Sequence, residues 1–113
     1  MPRSSLPDVQ GPDRYKPLCY DPKLKRFISF DEIVSGKKTP VSLDALTEEE
    51  KVNLVLERNR QGPDYTVQSI SGKPMTRDEV VREIEAKTEF GRMTVDAELS
   101  YLKDFIATIE KAL

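Results

Sequence analysis

Apolar residues in the C-terminal fifth of the chain keep a strict helical rhythm. Val95, Leu99, Leu102, Ile106, Ile109 and Leu113 follow one another at steps of four, three, four, three and four, the seam of a helix packed lengthwise on a neighbour. Tyr101, Phe105 and Ala112 widen the seam on one side, while Asp96, Ser100, Lys103, Asp104, Glu110 and Lys111 fall on the wet side. The spacing predicts a helix over 94–113, about 30 Å long, which one short neighbour cannot cover.

Three further helix starts are written as capping boxes, in which a Ser or Thr oxygen and a Glu three residues later satisfy each other's backbone amides. They are Ser29 to Glu32, Thr47 to Glu50 and Thr76 to Glu79. Ile28 with Ile33, and Met75 with Val80, hold the staple positions of the first and third boxes. The first helix is short and stops at Gly36. The second presents Val52, Val55 and Leu56, with Arg58 and Arg60 in its last turn, and stops at Gly62-Pro63. The third presents Val80, Val81 and Ile84, and Gly91 is read as its left-handed cap before the final helix.

Period-two signals are weaker. Leu18-Cys19-Tyr20, the turn chemistry of Asp21-Pro22, and Phe27-Ile28 predict a β-hairpin over Pro17–Ser29. Tyr65 to Ile70 reads as one further short strand, with Ser71 to Pro74 as a turn behind it and the first hairpin as its pairing partner. Met1 to Lys16 holds three prolines and only sparse apolar residues, and reads as a flexible arm. The expected architecture is therefore an α+β fold, mainly helical. Three main helices, a small hairpin and one strand form a single domain over residues 17–113, behind an arm at 1–16.

Composition narrows the chemistry. At 113 residues, with 37% hydrophobic and 34% charged residues and no Trp, the core is lean but sufficient for one small domain. No apolar run reaches bilayer length, and Met1 to Gln10 lacks the apolar centre of a signal peptide, so a cytoplasmic location and no membrane contact are expected. A lone cysteine, Cys19, agrees with a reducing compartment.

There is no histidine. A Cys/His metal cage has no ligands, and Cys19 has no imidazole to activate it as a nucleophile. The glutamates of 48–50 are explained as charges at a helix start, and Gly72-Lys73 lacks the remainder of a phosphate-binding loop. No enzyme activity, cofactor or metal is expected.

Charge is unevenly divided. Residues 1–46 carry eight Lys/Arg against six Asp/Glu, and residues 47–113 carry ten against fourteen. An acidic helical half is a poor match for phosphate, so nucleic acid is an unfavoured partner. The pair of helices at 76–113 nevertheless has the outline of a helix-turn-helix, which makes a DNA-binding regulator the alternative reading. The favoured reading is a non-catalytic protein–protein interaction module, an adaptor or accessory subunit binding another protein or itself. Its expected contact residues are Leu99, Leu102, Ile106, Ile109 and Leu113, on a seam that the shorter helices leave partly uncovered near Ile106, Ile109 and Leu113.

Overall fold

The computed structural model describes Val9 and residues 11–62, 65–68 and 72–112. Its architecture is α+β and mainly helical, with two small antiparallel hairpins. A 3₁₀ turn, Gly11–Arg14, leads into β1 (Pro17–Asp21) and β2 (Arg26–Ser29), followed by α1 (Phe30–Val34). A second 3₁₀ turn, Leu43–Ala45, precedes α2 (Glu48–Gln61), and then come β3 (Thr66–Gln68), β4 (Pro74–Thr76), α3 (Arg77–Glu85) and α4 (Glu89–Ala112). In the segment expected to be an arm, Val9 packs against the core, and Arg14 Nε donates to Asp31 at 2.7 Å.

The first hairpin forms where its turn chemistry stands. Asp21 Oδ1 accepts from the backbone amides of Lys23 and Leu24, Lys25 takes a left-handed φ of 54°, and Cys19, Tyr20 and Asp21 pair with Ile28, Phe27 and Arg26. Thr47 and Thr76 close full capping boxes at the starts of α2 and α3. At α1 the box is half made: Ser29 accepts from the amide of Glu32, but the Glu32 carboxylate takes two hydrogen bonds from Arg26 instead of turning back.

Two sequence expectations give way to tertiary structure. The strand after Gly62 pairs with β4, Val67 opposite Met75, and not with the first hairpin. Met75, read as a staple residue, serves as a strand residue as well. The boundary between α3 and α4 also lies elsewhere than at Gly91. Lys87 takes the left-handed position (φ 57°), with Thr88 N donating to Glu83 O and Lys87 N to Ile84 O, the two bonds of a Schellman cap. Thr88 then caps α4 by accepting from the Gly91 amide. The last helix therefore has 24 residues and starts at Glu89. Gly91 lies inside it, where a Cβ would stand 2.2 Å from the Glu83 carbonyl oxygen.

Helices α2 and α4 divide the interior. Leu54 with Leu102, Ile106 and Ile109 packs against Leu18, Cys19, Ile28, Phe30 and Ile33. Val55, Leu56 and Val95 pack against Val80, Val81 and Ile84 of α3. Leu99 touches both clusters. No helix among the described residues is long and apolar enough to cross a membrane.

Candidate functional site

The seam of α4 faces inward. Leu102 and Ile109 are fully buried and Ile106 nearly so, under the first hairpin, α1 and the 3₁₀ turn at Leu43. Leu99 is half-buried between the two clusters. The structure thus brings four of the five expected contact residues together as core of a single copy, and Leu113 lies outside the described residues.

What α4 leaves open is its other side. Phe90, Thr94, Ala97 and Tyr101 succeed one another at helical spacing and form one wall of a groove of about 600 Å³, with Tyr65 and Val67 as the opposite wall. Tyr101 is 58% exposed and Val67 38%. Apolar side chains held apart in this way leave a slot and not a core.

The floor of the groove is polar and satisfied. Arg58 Nε donates to Glu98 Oε1 at 2.9 Å, and its Nη1 donates to the Pro17 carbonyl at 2.7 Å. Asn59, buried, donates to Glu98 Oε2 at 3.2 Å and to the Val55 carbonyl at 2.8 Å, while Tyr65 donates its hydroxyl to Asn59 Oδ1. Burial, then the nearby Glu98 charge, pushes the Tyr65 phenol up, with Arg77 acting the other way. Tyr65 therefore stays a neutral donor at physiological pH. The network ties β1, α2, α4 and Tyr65, the residue before β3, to one another, and among the described residues no buried side-chain nitrogen or oxygen lacks a partner.

Glu98 is the one carboxylate among the described lining residues, and it is committed to Arg58 and Asn59. Cys19, the free thiol, is buried within β1 of the other hairpin, where burial pushes its pKa up, opposed by the Val41 amide that it accepts from. Among the described residues no cluster of three or more Cys, Asp or Glu is grouped to hold a metal ion.

Sequence reasoning missed this network because its members lie far apart, Arg58 and Glu98 by 40 positions. One signal was present. Asn59 follows Val55 by four residues on the apolar stripe of α2, and a polar residue on that stripe demands a buried partner.

The pair α3 and α4 is joined by only Ala86 to Thr88. Phe90 is half-buried and Gly91 buried at this junction, and the outward residues of the first two turns of α4 are Glu89, Arg92, Met93 and Asp96. No family model, curated protein or solved structure matches the chain.

Proposed function

We propose that the chain is a non-catalytic protein-interaction module, an adaptor or accessory subunit, which receives an apolar segment of another protein in the groove between β3 and α4. The observation that carries this reading is the pairing of open apolar walls with a self-satisfied floor. Such a surface gains by losing water and offers no free charge to a polar ligand. Among the described lining residues the one carboxylate, Glu98, is held by Arg58 and Asn59, and we read the product of this surface as a complex. A cytoplasmic location belongs to the same proposal and is supported by the unpaired, buried Cys19 thiol.

Ala97→Arg tests the reading, because Ala97 is exposed on the groove wall and outside both core clusters. The full chain and the variant are used side by side as affinity baits. Expected is a stability unchanged within the roughly 0.5 kcal/mol typical of surface changes, with loss of a bound protein. Retention of the same proteins in equal amounts by both baits would remove the groove from consideration.

The short link between α3 and α4 supports DNA binding as the second reading, and electrostatics weigh against it. Glu89 and Asp96 stand beside Arg92 where a phosphate-lined groove would meet the helix. Fluorescence anisotropy with a labelled duplex at low salt separates the two: binding that weakens steeply as salt is added supports DNA.

A further inference from the structure

Next to the groove, and sharing Ala97 and Tyr101 with it, α4 carries an outward face of exposed side chains, bordered at Lys103 and Ala107 by the 3₁₀ turn at Leu43. Met93, Asp96, Ala97, Ser100, Lys103, Asp104 and Ala107 are all exposed on it. Two of the five large hydrophobic residues exposed among the described residues, Met93 (50%) and Tyr101 (58%), belong to this one helix. Small residues at Ala97, Ser100 and Ala107 allow another helix to approach closely.

The charges on that face are arranged about a centre. Asp96 and Lys103 are seven residues apart, two helical turns, so they project in nearly the same direction. Their midpoint falls beside Ser100. Glu89 and Lys111 lie farther out on the same helix, and their midpoint is Ser100 itself. None of these four has an ion pair or a side-chain hydrogen bond to a described residue of its own copy.

We propose that this face binds a second copy of the chain, with the two α4 helices antiparallel and Ser100 at the crossing. The inference rests on the interaction-module reading and names a partner for α4. In that arrangement Asp96 faces Lys103 of the second copy and Glu89 faces its Lys111, and each pair occurs twice because a two-fold contact is isologous. Tyr101 lies over Ala97 of the second copy and Met93 against its Ala107, which supplies the apolar contact. Asp104 lies on the opposite flank from Asp96, so the two carboxylates do not meet. A parallel arrangement sets each charge beside its like. Exposed ion pairs choose orientation more than they add affinity, so the charge pattern specifies antiparallel packing and the apolar residues hold it.

The test is the molar mass in solution across a dilution series up to about 1 mM, at salt of about 50 mM and about 1 M, for the wild type, Lys103→Glu, and the swap Asp96→Lys with Lys103→Asp. Neither Asp96 nor Lys103 lines the groove or belongs to a core cluster, so all three proteins should melt alike when dilute. The wild type should associate with rising concentration, Lys103→Glu should weaken association about tenfold at low salt, and the swap should restore it to within about twofold. A wild type that stays a single chain throughout overturns the inference. So does a Lys103→Glu variant that associates as tightly as the wild type. If either result comes with a foreign protein still lost from the Ala97→Arg bait, the interaction-module reading stands without self-association; if that loss also fails, both fall.

Discussion

Gly91 shows how one residue can be legible in type and illegible in role. A glycine near a helix boundary is read as a cap because it takes positive φ without a steric cost. Here Lys87 takes that conformation, and Gly91 sits inside α4 because α3 passes too close for a side chain. The Glu83 carbonyl carbon would lie 2.6 Å from the added Cβ and the Ile84 Cα 2.9 Å. These are backbone atoms and cannot swing away. Gly91→Ala therefore gains helix propensity of about 1 kcal/mol and loses more to the clash. A net destabilisation of about 1–3 kcal/mol is expected, measured as a lower urea midpoint at unchanged slope. A neutral or stabilised variant would mean that α3 and α4 are farther apart than described.

Lys87 makes the complementary case at the scale of the element. The Schellman cap closes α3 on a lysine held at φ 57°, a conformation that costs an L side chain about 1–2 kcal/mol. Lys87→Gly is expected to stabilise the chain by about 0.5–1 kcal/mol, part of the relief being offset by the freedom of glycine in the unfolded chain. Thermal unfolding read by far-ultraviolet circular dichroism checks the sign; a lower melting temperature would count against the cap geometry. The helix starts at Thr47 and Thr76 were legible because a capping box is complete within four residues. The start of α4 was not, although Thr88 caps it by the same chemistry. Its third position holds Gly91 where the box would need Glu or Gln.

At the scale of the whole molecule, two groups among the described residues, Cys19 and Tyr65, couple the fold to alkali in the same sense. Cys19 has its pKa raised above the ordinary 9.0, first by burial, against the Val41 amide and with Asp21 and Glu32 adding a little. Tyr65 is raised above 10.0, also first by burial. In both cases the unfolded chain gives up its proton at lower pH than the native one. Above about pH 9 the unfolded state binds fewer protons, so stability falls as pH rises. Urea unfolding from about pH 8 to about pH 10.5 should show this decline, and Cys19→Ala should show a shallower one. Equal slopes in the two proteins would mean that the thiol is not protected by the fold. Because Leu99 touches both clusters and α2 contributes to each, the loss is expected as one cooperative transition.

The sequence alone determined the local facts: which stretches are helical, where two of the main helices begin, the turn at Asp21, and the apolar seam of the last helix. Each is written in residues a few positions apart, within reach of one another before the chain folds. Tertiary structure decided which surface is inside. A seam states that α4 must be covered, but not whether Leu18, Ile28 and Phe30 of the same chain or a second molecule covers it; the packing of the first hairpin and α1 answers that. The same holds for Arg58 with Glu98 and for Gly91 against Glu83, contacts set by the approach of two elements. Local chemistry carries no record of that distance.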